Sequence, residues 1–168
     1  MNFSRILRHL FTGHLAVRRI FPISSLAAIE RAIKQSEMGH EGEVRFAVEA
    51  ALNTLPLLRA QSARDRAVEV FSQLRVWDTE HNNGVLIYLL LADRDVEIIA
   101  DRGINVRVGS EEWERICREM EAAFRQGRFE SGVIAGISAV GSHLQKHFLA
   151  EREREGKKNE LPDTPVIL

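Results

Sequence analysis

Five oxygen-bearing side chains, Asp78, Glu80, Asn82, Asn83 and Asp101, have types that suit cation chemistry, and Arg102 follows the last of them at once. Carboxylate and amide oxygens are the ligands that hard cations such as Ca²⁺ and Mg²⁺ take. A guanidinium beside them can neutralise a phosphate through paired hydrogen bonds. The set lacks the dense ligand spacing of an EF-hand loop, so the expected affinity is modest. The same residues have a plainer use. Asn82-Asn83-Gly84 can shape a turn, because Asn and Gly tolerate positive φ, and the carboxylates can simply sit in water. Both uses stay open from the sequence.

Other candidate groups carry less. Glu49, Asn53 and Asp93-Arg94-Asp95 form a second polar set, but Asp and Arg in a short hairpin loop are expected for turn chemistry alone. His143 and His147 stand four apart on a helix with Glu151 a turn further, a ridge that could hold zinc. They flank an apolar stripe through Leu144 and Phe148, however, and no third His, Cys or HExxH pattern joins them, so a boundary pair is expected. The single cysteine, Cys117, falls in a helical stripe and reads as an inert buried thiol. Walker, GxGxxG, GxSxG and zinc-finger patterns are absent, and no organic cofactor is expected.

Particular elements must position these groups. Val85 to Ala92 is an unbroken apolar run of strand length, so both faces of that strand should be covered by helices. Val96 to Ala100 returns after Asp93-Arg94-Asp95 as a hairpin. Glu43 to Glu49 alternates polar and apolar, predicting a strand with one better-buried face. Between them Ser62-Ala63-Arg64-Asp65 resembles a capping box ahead of a helix with stripe Ala67, Val70, Phe71 and Leu74. Strand, helix and strand in that order predict a right-handed crossover with 43–49 and 85–92 parallel. The start of 85–92, the end of 96–100 and the start of 43–49 then share one sheet end. That gathers Asn82, Asn83, Asp101 and Arg102 there, with Glu43 added. Further helices are expected over about 24–38, from a Ser110 cap through Trp113, Ile116, Met120 and Phe124, and from Phe129 through Val133, Ile137 and Val140. Gly132, Gly136 and Gly141 on the last should admit a close neighbour. The predicted fold is α/β, a three-layer α/β/α sandwich with a small mixed β-sheet flanked by helices.

A chain of 168 residues can bury one ordinary core. With a net charge of −1 it is not a general nucleic-acid binder. One free thiol and no apolar segment of spanning length favour the cytoplasm. Residues 1–22 hold Arg5, Arg8, Arg18 and Arg19 and no acid, leaving −5 for the rest of the chain. With Ile6, Leu7, Leu10 and Phe11 on one face after a Ser4 cap, they read as a basic amphipathic segment. It either packs as an extra helix or makes a peripheral contact with an anionic membrane lipid or an acidic partner. Residues 23–150 form the expected domain, and 151–168, charged and then Pro-containing, a disordered tail.

From Arg66 to Ile104 the chain resembles the TPM-domain family, named after a plant thylakoid-lumen protein and its relatives. The residues that carry this are Ala67 and Phe71, Asn82-Asn83-Gly84-Val85-Leu86, Asp93-Arg94 and Gly103-Ile104. The later Ile116, Met120, Phe124 and Gly127 fit the family's next helix. Leu74 and Trp77 stand where members usually have tryptophan and glycine, which suggests a distinct subgroup. The resemblance implies a helix/sheet/helix sandwich, divalent-cation binding and, for some members, a phosphatase activity. Two functions follow as expectations. One is a binding or accessory module, cation-dependent and with a protein or membrane-complex partner. The other is a metal-dependent phosphohydrolase using the acidic rim at 78–83/101, where a cation would polarise a phosphoryl oxygen and activate water.

Overall fold

Val85, Ile87 and Leu89 enter one hydrophobic cluster while Leu86, Tyr88 and Leu90 enter another. This alternation along one strand divides the molecule into layers. In the computed structural model, which describes residues 3–149 and 159–168, that strand is β2 (Gly84–Leu90). Its neighbours are β1 (Glu43–Glu49), β3 (Asp95–Ala100) and β4 (Val166–Ile167). The order across the sheet is β3-β2-β1-β4. β1 runs parallel to β2 with Glu43 opposite Gly84. β3 returns antiparallel to β2 with Ala100 opposite Val85. The mixed sheet and the α/β/α layering are those the sequence predicts.

Eight helices accompany the sheet among the described residues: α1 (Phe3–Phe11), α2 (His14–Ile20), α3 (Ile23–Glu37), α4 (Thr54–Leu58), α5 (Ala63–Gln73), α6 (Arg102–Asn105), α7 (Ser110–Arg125) and α8 (Phe129–His147). On one face α3, α7 and α8 meet Val44, Phe46, Val48, Val96 and Ile98. On the other, α4 and α5 bring Leu57, Ala63, Ala67 and Val70 against Ala47, Leu86, Tyr88 and Ile99. Burying a run such as β2, with no exposed side chain from Gly84 to Leu90, supplies about 1.5–3 kcal/mol per large apolar residue.

Local signals account for most element boundaries. Ser62 accepts from the Asp65 N–H at 3.0 Å and the Asp65 carboxylate accepts from the Ser62 N–H at 3.2 Å, completing the capping box of α5. The close approach of α7 and α8 depends on glycine: a Cβ at Gly132 would lie 2.8 Å from the Phe124 ring, and one at Gly136 would overlap the Met120 sulfur. Gly127, at φ 74°, is the left-handed residue between these helices. Two caps differ from expectation. α7 begins at Ser110 with Gly109 as its unbonded N-cap, and Ser4 lies inside α1. The short α4 has no counterpart in the sequence reading. Its Pro56 is tolerated because the first four N–H groups of a helix have no partner within it.

Further corrections concern coverage and boundaries. The polar side of β1 is not turned to water: Glu43, Arg45 and Glu49 are all buried. Leu161 donates its N–H to Glu43 Oε2 at 3.3 Å. Val166 and Ile167 pair with Ala47 and Val48. Thus residues 159–168, expected in a disordered tail, lie on the sheet; 151–158 fall outside the described residues. Arg45 has Nε and Nη1 buried without a hydrogen bond. Burial pulls its guanidinium below the usual value, against the charges of Asp163 and Glu37. The N-terminal segment packs on the domain, one of the two expectations for it, with Val17 and Phe21 within the main core. It forms two helices instead of one. Finally, the hairpin loop spans Leu91 to Arg94, with Asp95 already paired to Leu90.

Candidate functional site

The Gly84 carbonyl accepts the Asp101 N–H at 2.9 Å, and the Asn83 carbonyl accepts the Glu43 N–H at 3.4 Å. These bonds join three strand ends at one edge of the sheet. Asn83 is fully buried. Its N–H donates to Thr79 Oγ1 and its Nδ2 to the Glu41 carbonyl, both at 3.1 Å. Its amide orientation is thereby fixed with Oδ1 left over, and that oxygen is buried with no hydrogen-bond partner. Asp101 is the N-cap of α6 and accepts the Arg102 N–H at 2.7 Å through Oδ1. Its Oδ2 is also buried and unbonded. Two buried acceptor oxygens without donors at one end of the sheet are unusual, since each such atom costs about 1–3 kcal/mol.

The backbone around them explains the glycines. Gly84 does not have positive φ; the only glycine among the described residues that does is Gly127. The left-handed residue of the turn is Asn82, at φ 50°. Gly84 is required by proximity instead, because a Cβ there would overlap the Val76 carbonyl oxygen. A Cβ at Gly103 would lie 2.5 Å from the Asn82 carbonyl oxygen and 2.6 Å from that of His81. Both glycines therefore let carbonyl-bearing backbone pack closely at this end of the sheet.

Asn82, Asn83, Asp101 and Arg102 are brought together. Arg102 Nε donates to Asn82 Oδ1 at 3.1 Å, and the rest of its side chain is exposed. Asp78 and Glu80 are on the same connection but exposed. The Glu80 N–H donates to the Glu160 carboxylate at 2.9 Å. Thr79 and the Glu41 carbonyl, which orient Asn83, were not singled out from the sequence. The Thr79 to Asn83 interval was the available signal for the first; the second needs the fold. No group of three His, Cys, Asp or Glu suited to a metal occurs among the described residues. A site here would draw on amide and carbonyl oxygens as well as on Asp101.

At the opposite sheet end Glu49 and Asp93 are already matched. Glu49 accepts from Arg66 Nε at 2.8 Å and Nη2 at 3.2 Å, and from the Tyr88 hydroxyl at 2.7 Å. Burial, reinforced by the Glu49 charge, pushes the Tyr88 hydroxyl above its usual range. Asp93 accepts from Arg5 Nε at 2.8 Å and Arg8 Nη2 at 3.0 Å, and His9 Nε2 lies 3.1 Å away. His143 rests edge-on against Trp113, and burial lowers its pKa. Burial pushes the Cys117 thiol up to about 12, which removes it as a nucleophile.

The TPM domain profile matches residues 19–143. The chain belongs to the TPM domain family. It is also similar to the BA42 protein of the psychrophilic bacterium Bizionia argentinensis, whose NMR structure superposes with a TM-score of 0.73. The two are 31% identical, over 86% of this chain and 92% of that one. No curated protein matches. Asn82-Asn83-Gly84 and Gly103-Ile104 both lie within the matched residues. No helix among the described residues is long and apolar enough to cross a membrane.

Proposed function

We propose that this TPM domain is a binding module that takes a hard divalent cation, Ca²⁺ or Mg²⁺, at Asn83 and Asp101 and engages a protein partner through the loaded rim. The observation that carries the reading is the pair of buried acceptor oxygens, Asn83 Oδ1 and Asp101 Oδ2, that lack donors. A cation would supply the missing positive partner, and amide and carboxylate oxygens suit its hardness. Asn83 is held for this by Thr79 and Glu41. Asp101 contributes the charge. Asp78 and Glu80, exposed nearby, add negative potential that draws cations in.

Calorimetric and NMR titration of the full chain with each cation tests this. Binding is expected at millimolar concentration or better, with the largest shifts at Asn83 and Asp101. Asp101→Asn should weaken it while leaving the melt nearly unchanged. Asp93→Asn, at the far end of the sheet, should leave it intact. No response to either cation ends the proposal, and loss on Asp93→Asn alone puts the site at the wrong end.

A phosphohydrolase reading has one observation in its favour. Arg102, next to Asp101, is anchored through Nε and otherwise exposed, a placement that suits a phosphate oxygen. Cation-dependent release of phosphate from a phosphomonoester, lost in Arg102→Ala, is the result that supports it. No turnover with bound cation dismisses it and leaves the binding module.

A further inference from the structure

A surface helix normally docks by its apolar stripe and turns its polar side to water. α1 does the reverse. It is held by Arg5 and Arg8 on Asp93 and by His9, whose Nδ1 accepts the Leu52 N–H at 3.0 Å. Of its apolar residues Ile6 alone packs inward. Phe3, Leu7, Leu10 and Phe11 share the opposite face and stand 39% to 84% exposed.

α2 continues this surface. Val17 and Ile20 face the core, while Leu15, 82% exposed, lies outward with Arg18 and Arg19. No acidic residue precedes Glu30. An apolar face of this extent marks an interaction site, and its charge selects the partner. A second copy docking face to face would set the same arginines against each other. The bulky side chains protrude from helices, so the partner needs to be soft and anionic instead of pocketed.

We propose that the outer face of α1 and α2 is a docking surface for an anionic lipid membrane. Phe3, Leu7, Leu10, Phe11 and Leu15 enter the headgroup boundary, and Arg18 and Arg19 pair with lipid phosphates. Asp93 and Leu52 hold α1 in this orientation before contact, so the ordering cost falls in folding and not in binding. This surface is independent of the rim around Asn83 and Asp101.

The test is flotation of the full chain with vesicles of phosphatidylcholine alone and of phosphatidylcholine mixed with phosphatidylglycerol, at low and high salt. Binding to the anionic vesicles alone, weakened by salt, is expected. The double variant Leu10→Ser, Phe11→Ser should lower partitioning on the order of tenfold, as should Arg18→Gln with Arg19→Gln. Thermal melts should be unchanged, since all four residues are exposed. Absence of wild-type binding to anionic vesicles overturns the proposal, as does binding that neither double variant reduces. A wild-type dimer that Leu10→Ser, Phe11→Ser converts to monomer, with no vesicle binding, assigns the face to self-association. Vesicle binding abolished by Leu10→Ser, Phe11→Ser in a chain that stays monomeric supports it.

Discussion

Gly84 passes so close to Val76 that a Cβ on residue 84 would overlap the Val76 carbonyl oxygen. The atom in the way is backbone, immediately after the α5 connection, and cannot rotate aside. Gly84→Ala should therefore destabilise the fold by about 2 kcal/mol or more. The Asn83 amide exchange would accelerate with it. Urea unfolding measures the first, and a variant as stable as wild type would show that the connection shifts freely.

Asp93 links α1 to the β2–β3 hairpin across more than eighty residues of chain. Burial pushes its carboxyl up, but the bonds from Arg5, Arg8 and His9 outweigh this and hold it below the usual value. A depressed carboxylate contributes stability that is present above the unfolded pKa and lost as pH falls through the folded one. Asp93→Asn should cost about 1–2 kcal/mol at neutral pH. The gap from wild type should close on acidification below about pH 4. Hydrogen exchange should rise in α1 and stay slow in β2.

Two positions away the sign is opposite. Burial, with Glu97, Glu121 and Asp93 adding to it, pushes the Asp95 carboxyl up to about 6. A raised acid favours the folded state below its unfolded pKa, and that contribution disappears as pH rises through the folded pKa. Wild type should lose stability between about pH 4 and pH 6 and then level off. Asp95→Asn should stabilise the neutral protein by about 1 kcal/mol after allowance for solvent screening. Thermal melts across that pH range decide it.

The Asp163 carboxylate faces buried Arg45, to which it supplies a stabilising charge. Asp163→Asn leaves that cation with Glu37 alone. The expected cost is about 1–3 kcal/mol, with early exchange at the amides of β4. An unchanged melt would mean that residues 159–168 contribute little to the fold.

How legible each part was depends on whether its cause was local. β2 could be read because its two cores write themselves as an unbroken apolar run, and the α5 cap because Ser62 and Asp65 are three residues apart. β1 was misread for the converse reason. Its alternation of Glu43, Arg45 and Glu49 with apolar residues is a genuine period of two. What buries the polar side is Leu161 and Asp163, more than a hundred residues on, and Arg66 on α5. Asn82, Asn83, Asp101 and Arg102 could be gathered by strand direction alone. The orphaned state of Asn83 Oδ1 and Asp101 Oδ2 could not, since it depends on which neighbouring donors are already engaged. α1 showed its amphipathic pattern, but a wheel does not say which side faces the protein.

The last strand to join the sheet has consequences for how the chain is made. β4 contributes two residues, beside the C-terminal half of β1, and they are synthesised more than a hundred positions after it. Until they emerge, a growing chain can pair β1 with β2 and β3 while the other border of β1 presents unmatched amide and carbonyl groups. An open border is a template for strands of other nascent chains. During that interval the charged side chains Glu43 and Arg45 lack their C-terminal cover, and charge on an open border disfavours such pairing. The same two residues that look misplaced in the finished sheet thus act as gatekeepers while it is incomplete, until Leu161, Asp163, Val166 and Ile167 arrive.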